Sequence, residues 1–326
     1  MAKCKFEKYT EYISYDGGNT WFPTSFDRKG DIIEYDSPSC NIMYRWVRTD
    51  NTICIEDSPT TSDYLSFVAE EDGTFKFLKS TGNTSDIQYS LDSGSTWTTL
   101  ASDTNSPTVE SGHTIMWKGT LTPIEYYDWQ FPFGVGRFSS SGSFSIEGNP
   151  MSLLYGDDFD GITSLSGKRC AFADLFSGCT NLTSAENLSL LATTLEYGCY
   201  ASMFRNCTSL ETAPTLPATT LSEWCYNCMF WGCSSLETAP TLPATTLSES
   251  CYDSMFSYCY SLNYVKCLAT DITAPYCTLD WLTDVATYGT FVKDSSMNVV
   301  TSSSATNDWK LGSSGVPNYW TVQNAS

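Results

Sequence analysis

Residues 199–224 read "CYASMFRNCTSLETAPTLPATTLSEW" and residues 225–250 read "CYNCMFWGCSSLETAPTLPATTLSES". A third copy, "CYDSMFSYCYSLNYVKCLATDI", follows at 251–272. Cys199, Cys225 and Cys251 are spaced by 26, as are Cys207, Cys233 and Cys259, and Phe204, Phe230 and Phe256. A degenerate earlier copy at 170–198, "CAFADLFSGCTNLTSAENLSLLATTLEYG", sets Phe176 and Cys179 in the matching slots, 28 residues before the next. A fixed period of this length with Leu, Phe and Cys in register predicts a solenoid in which equivalent side chains stack as ladders. Cysteine acts there as a small buried hydrophobe. Neighbouring same-slot cysteines meet in a row that cannot all pair, so free thiols are expected.

Inside each coil Leu210, Ala213, Leu216 and Leu221, then Leu236, Ala239, Leu242 and Leu247, point inward. Pro214, Pro217, Pro240 and Pro243 forbid a regular helix in that half and remove backbone donors, so it is extended or irregular. The "CYxxMFxxC" half is expected to form a helical turn that buries Met203 and Phe204. The string "MFxxCxSLxxAPxLPATTL" resembles the leucine-rich repeats of the BspA-like type, known from surface and phage proteins of Bacteroides and its relatives. The resemblance covers about 170–272.

Upstream, 62–150 alternates in short apolar and polar runs: "YLSFVAEEDGTFKFLKS", "SDIQYSLDSGSTWTTLAS", "HTIMWKGTL" and "FGVGRFSSSGSFSIEGN". Strands of this length broken by Gly, Asn and Asp predict an antiparallel β-sandwich. Within it "EEDGTFKF" reads as a hairpin on its Asp-Gly turn. The segment "EDSPTTSD" (56–63) separates a small N-terminal β module. The expected organisation of this mainly β chain is therefore an N-terminal anchor module at 1–58, a β-sandwich at 62–150, a leucine-rich-repeat solenoid at 151–288 and a C-terminal β cap at 289–326. Trp309, Tyr319 and Trp320 are expected in the core of that cap, which a terminal coil needs to cover its open face.

An octapeptide of pattern S-x-D-x-G-x-T-W occurs twice, "SYDGGNTW" at 14–21 and "SLDSGSTW" at 90–97. It resembles the Asp-box of sialidases and related β-proteins, and the resemblance implies a structural role: Asp16 with Gly18 and Trp21, and Asp92 with Gly94 and Trp97, each shape a hairpin turn. A sialidase also needs an arginine triad and a Tyr–Glu pair. The arginines here are Arg28, Arg45, Arg48, Arg137, Arg169 and Arg205, spread over the modules.

Other chemistry finds little support. His113 is the single histidine among 326 residues, which excludes a histidine-based metal cluster. "CYNC" (225–228) has C-x-x-C spacing, but Cys225 belongs to the ladder and no βαβ pattern surrounds it. No Gly-rich phosphate loop precedes a helix, so no cofactor is expected. Asp157, Asp158 and Asp160 in "YGDDFDG" form a weak Ca²⁺ candidate without EF-hand spacing. With 37 acidic against 17 basic side chains and a net charge of −20, nucleic acid is not an expected partner. No run approaches the ~20 apolar residues of a spanning helix, so no membrane insertion is expected.

The stretch "YISYDGGNTWFPTSFDRKGDIIEYDSPSC" followed by "YRWV" resembles short modules of crAss-like phages of gut Bacteroidales and of their hosts' surface proteins. That resemblance implies a virion fibre or decoration protein, non-enzymatic, anchored to other virion proteins by its N-terminal module. The start "MAKCKFEKYTEY" lacks the apolar core of a secretory signal, as expected of a particle protein. The alternatives are a bacterial cell-surface adhesin and, more remotely, a glycan-cleaving enzyme. Contact with a host-surface glycan or protein is expected through aromatics that vary between coils, Trp224, Trp231, Tyr258 and Tyr260. Such proteins are symmetric homo-oligomers, here dimers or trimers, because multivalency strengthens weak contacts.

Overall fold

A computed structural model describes four strands within the first 62 residues and, beyond them, residues 64–80, 82–124, 134–301, 307–312 and 315–325. The chain divides into two compact units, Met1–Ser62 and Asp63–Ser326. The structure is mainly β, and among the described residues no helix is long and apolar enough to cross a membrane.

In the first unit β1 (Tyr9–Ser14), β2 (Phe22–Arg28), β3 (Met43–Arg48) and β4 (Ile53–Cys54) form an antiparallel sheet of order β2-β1-β3-β4. Ile13 pairs with Phe22 across the first hairpin. The box residues that join these strands, Asp16, Gly18 and Trp21, lie outside the described residues.

The second unit opens with β5 (Leu65–Ala69), β6 (Phe75–Lys79), β7 (Ile87–Ser90), β8 (Thr98–Leu100), β9 (Thr114–Lys118), β10 (Gly136–Ser140) and β11 (Phe144–Gly148). Antiparallel neighbours run β11-β5-β9-β7-β8, and β6 pairs with β10 in a second sheet. The sheets meet through aromatic rings: Phe67 packs edge-on to Phe138 at 4.8 Å, and Trp117 lies 5.1 Å from Phe138. The expected hairpin at Asp72-Gly73 does not form. β5 and β6 belong to different sheets, because Phe67 and Phe75 must both face the space between them, 5.3 Å apart. Gly73 instead exchanges backbone hydrogen bonds with Val109 and rests on Gly142, where a Cβ would stand 2.9 Å from the amide nitrogen.

From residue 170 onward the copies lie one upon another. A strand, β12 (Leu182–Leu188), belongs to the first copy and pairs in parallel with β11. The boundary expected near 150 is thus no break in the fold: sheets and coils share one core. The ribbon that opens each coil is not the helical turn its sequence suggested. Backbone N–H groups alternate between their own turn and the next coil. Met203, Arg205 and Cys207 donate to Tyr200, Ser202 and Phe204, while Ser202, Phe204 and Asn206 donate to Asn227, Met229 and Trp231. Every fourth residue takes a left-handed conformation to allow this, as at Gly198, Ser202 and Asn206, or Trp224, Cys228 and Gly232. A helix would spend all its donors internally and leave the next coil unbonded.

The other half of each coil follows its prolines. In the copies holding Pro214 and Pro217, or Pro240 and Pro243, the backbone of this half pairs with neighbouring coils in isolated bridges such as Thr220 to Thr246. In the first copy Glu186 stands in the first proline slot and β12 forms. In the fourth, Lys266 stands there and β13 (Tyr264–Cys267) forms. Removal of the proline restores the missing donor.

β13 pairs in parallel with β14 (Thr290–Lys293), which pairs with β17 (Thr321–Asn324). Between them β15 (Val299–Val300) pairs in parallel with β16 (Trp309–Lys310). The tail thus continues the stacking. A fifth ribbon, disguised in sequence by Trp281 and Leu282 in the Met and Phe slots, starts at Cys277 and accepts the N–H groups of Tyr252, Ser254, Phe256 and Tyr258. Trp309 and Trp320 are buried as expected of cap residues, but Tyr319 is 71% exposed. Trp320 fills the space beside Gly289 and donates its indole N–H to Ala286 at 2.8 Å, leaving no room for Tyr319 inside.

Candidate functional site

Ladders of equivalent side chains fix the frame of the repeat. Phe138, Phe176, Phe204, Phe230 and Phe256 stack with successive centroids 5.9, 5.5, 5.4 and 5.6 Å apart. Beside them Phe172, Tyr200, Tyr226 and Tyr252 form a second stack. Cys207, Cys233 and Cys259 are fully buried, and each thiol donates to the carbonyl of the phenylalanine one coil earlier: Phe176 at 3.1 Å, Phe204 at 3.0 Å and Phe230 at 3.0 Å. All the described cysteines are unbridged. Burial pushes the Cys179, Cys199 and Cys259 thiols up to about 12 and raises Cys207, Cys225 and Cys233 well above the ordinary value. Cys228, the outer member of "CYNC", rises to about 11 through burial and the charge of Asp253. Protonated thiols are poor nucleophiles.

The four aromatic candidates fall into two groups. Trp231 lies 4.9 Å from Tyr258, and Tyr258 meets Tyr260 edge-on at 6.2 Å. The Arg205 guanidinium, from the preceding coil, sits 4.7 Å above the Trp231 ring. In the sequence Arg205 stands out only as one of six scattered arginines, although its slot is the one Trp231 occupies 26 residues later. Tyr258 and Tyr260 are 36% and 61% exposed. Trp224, at the opposite end of its ribbon, belongs elsewhere: it lies 6.5 Å from Tyr197, whose face carries the Arg169 guanidinium at 4.2 Å. Trp224 and Trp231 are both partly buried.

The second Asp-box is a turn device. The Ser90 hydroxyl donates to Asp92 at 2.7 Å and accepts the Gly94 N–H at 2.9 Å. Asp92 also accepts the Thr96 N–H and hydroxyl at 2.8 and 2.7 Å. These bonds hold its carboxyl down at about 2, the Thr96 side chain contributing most. Ser93 and Gly94 are left-handed, and Trp97 lies 5.0 Å from Tyr64 with the Lys118 ammonium 4.3 Å over its ring. The side chains of Ser90, Asp92 and Thr96 are all engaged with the turn.

Asp157 is likewise committed. It accepts both Lys118, at 2.7 and 3.0 Å, and the Tyr64 hydroxyl at 2.7 Å, and the Lys118 hydrogen bond foremost lowers its carboxyl. Asp158 and Asp160 are exposed. Among the described residues no three His, Cys, Asp or Glu side chains converge as a metal site would require. His113 is exposed where the chain enters β9.

A cleft of about 270 Å³ opens between the last coils, lined by Tyr276, Leu279, Trp281, Asp308, Trp309 and Lys310. The Cys277 thiol at its edge is pushed up to about 11 by burial. Asp253 is raised by its half-burial, with Asp280 adding to the effect.

Comparison of the chain with protein-family models, with curated proteins and with solved structures found no match.

Proposed function

We propose that this chain is a non-enzymatic attachment protein of a phage particle, a fibre or decoration in which the N-terminal unit engages other virion proteins and the repeat unit projects to meet a host-surface glycan or protein. One observation carries the reading: Trp231, Tyr258 and Tyr260 make a continuous ring cluster, roofed by Arg205, on the outside of a stack whose own core is already filled. Tyr and Trp supply large contact area at low conformational cost and carry a polar edge suited to hydroxyl-rich ligands. The buried, high-pKa thiols and the turn-bound Asp92 leave these groups as scaffold. Assembly as a dimer or trimer would multiply weak contacts.

The experiment is direct. Fluorescently labelled full chain is applied to a panel of gut Bacteroidales strains, beside a variant carrying Trp231→Ala and Tyr260→Ala. Binding to at least one strain, reduced more than tenfold in the variant, is expected. Equal binding of both proteins would remove the cluster from the receptor site.

A further inference from the structure

Tyr288 and Tyr319 are the most exposed large apolar side chains among the described residues, at 73% and 71%. Their rings lie 6.0 Å apart on successive coils. The registers Tyr264 to Thr290 and Thr290 to Thr321 place Leu262, Tyr288 and Tyr319 in one slot. Leu262 is wholly buried there, as are Leu236 and Leu210 in earlier coils. In the last two coils the slot holds tyrosines turned outward, while Trp320 closes the core beneath. Packing therefore gives no reason for an aromatic side chain at either position.

Tyr260 lies four residues before β13, and Tyr288 and Tyr319 lie two residues before β14 and β17, which stack in register with it, while Trp231 on the coil before meets this corner through its contact with Tyr258. Equivalent rings on neighbouring coils stand 5.4 to 6.1 Å apart, centroid to centroid. One pyranose ring of an extended polysaccharide advances by a comparable distance. The apolar C–H face of such a ring suits an aromatic plane, and the tyrosine hydroxyls suit its rim. The surplus of 37 acidic over 17 basic side chains disfavours an anionic polymer.

We infer that this corner is a groove-free track for a linear, uncharged polysaccharide lying along the stacking axis, with successive sugars on successive coils. The inference rests on the receptor-binding reading above and specifies its ligand class and direction.

The test uses the full chain in affinity electrophoresis through gels containing dextran, mannan, xylan or, as the charged comparison, polygalacturonate. Retardation by at least one uncharged polymer and none by polygalacturonate is expected. Size-graded oligosaccharides of the retarding polymer are then titrated calorimetrically. Affinity should rise at least tenfold between two and six sugars, because each added ring meets a further coil. Tyr288→Ala with Tyr319→Ala should abolish that gain and leave the thermal midpoint unchanged, both side chains being exposed. No retardation by any uncharged polymer, retardation by polygalacturonate, or affinity independent of length and of the two tyrosines would each overturn the axial track. If affinity is flat with length but Trp231→Ala with Tyr260→Ala still loses host cells, the track fails and the receptor reading stands. If those cells are also retained, both fail.

Discussion

The Cys179 thiol donates to the carbonyl oxygen of Phe138 at 3.0 Å, the same bond that Cys207, Cys233 and Cys259 make to Phe176, Phe204 and Phe230. Phe138 lies in β10, upstream of the first repeat copy, and its N–H bonds to Leu175 as that of Phe176 bonds to Met203. The smaller sheet therefore supplies the rung on which the coils are built. A solenoid end without such a cover would expose half its core and a row of unpaired backbone groups.

Gly134 sits at this junction, left-handed, with its Cα against Cys170 and Ala171. A Cβ there would collide with the Cys170 carbonyl, which is backbone and cannot rotate away. Gly134→Ala is expected to destabilise the second unit by about 2 kcal/mol or more, combining left-handed strain with the clash. Because sheet and coils share a core, urea unfolding should shift as one transition by tryptophan fluorescence and far-UV circular dichroism alike. Loss of the sheet signal alone would show that the two parts fold separately.

Within the stack Phe230 has ring neighbours on both sides, Phe204 at 5.4 Å and Phe256 at 5.6 Å. Phe230→Ala opens a cavity that fixed backbones above and below cannot close, at a cost of about 3–5 kcal/mol. Thermal melting is the check; an unchanged midpoint would contradict the ladder.

The thiols make stability fall in alkali. Their folded values lie near 12 at Cys179, Cys199 and Cys259, raised by burial from 9.0. A raised value means the unfolded chain loses its protons first. The stabilisation is whole below about pH 9 and is lost as pH climbs towards 12, at about 1.4 kcal/mol per pH unit for each buried thiol. Denaturant midpoints across that range should drop steeply, and iodoacetamide at pH 8 should leave the ladder thiols unlabelled by mass spectrometry. Rapid labelling of Cys233 in native protein would overturn this.

The repeat was legible because two near-identical copies and a third that keeps their CYxxMFxxCxSL start put Cys, Phe and Leu in fixed register, and the turn of Ser90–Trp97 because its side chains satisfy their own backbone. Three features were not. The alternating bonding of the ribbon depends on left-handed Ser202, Cys228 and Ser254, residue types that announce no such conformation. The coil at Cys277 was masked by Trp281 and Leu282. Asp72-Gly73 carries a hairpin signal, yet burial of Phe67 and Phe75 between sheets outweighed it. Of the candidate contacts, Trp231, Tyr258 and Tyr260 came together, whereas Trp224 joined Tyr197 because it lies at the other end of the ribbon.

Asp92 gives the opposite pH dependence. Its hydrogen bonds to Thr96 and Ser90 hold the carboxyl near 2, below its ordinary 3.8. A depressed value stabilises the fold above the unfolded value and is lost as pH falls from about 4 towards 2. Asp92→Asn should flatten the acid limb of the stability curve over that window. An acid limb identical to that of the parent protein would show that the box contributes nothing to it.

Tyr258 separates stability from binding. Its φ of 64° is left-handed, a conformation costing a bulky side chain about 1–2 kcal/mol. The equivalent positions hold Gly178 and Gly232, which adopt it freely, and Asn206 and Asp284, whose short polar side chains tolerate it. Folding alone would favour glycine at 258, so the exposed tyrosine answers to something outside the core. Tyr258→Ala keeps the strained backbone and loses the ring contact with Trp231, whereas Tyr258→Gly loses the contact but sheds the strain. The glycine variant should therefore be the more stable of the two, by about 1 kcal/mol in urea, while both bind host cells more weakly than the parent. An alanine variant as stable as the glycine one would show that the ribbon relaxes at this position, and undiminished cell binding by both would detach Tyr258 from the receptor surface.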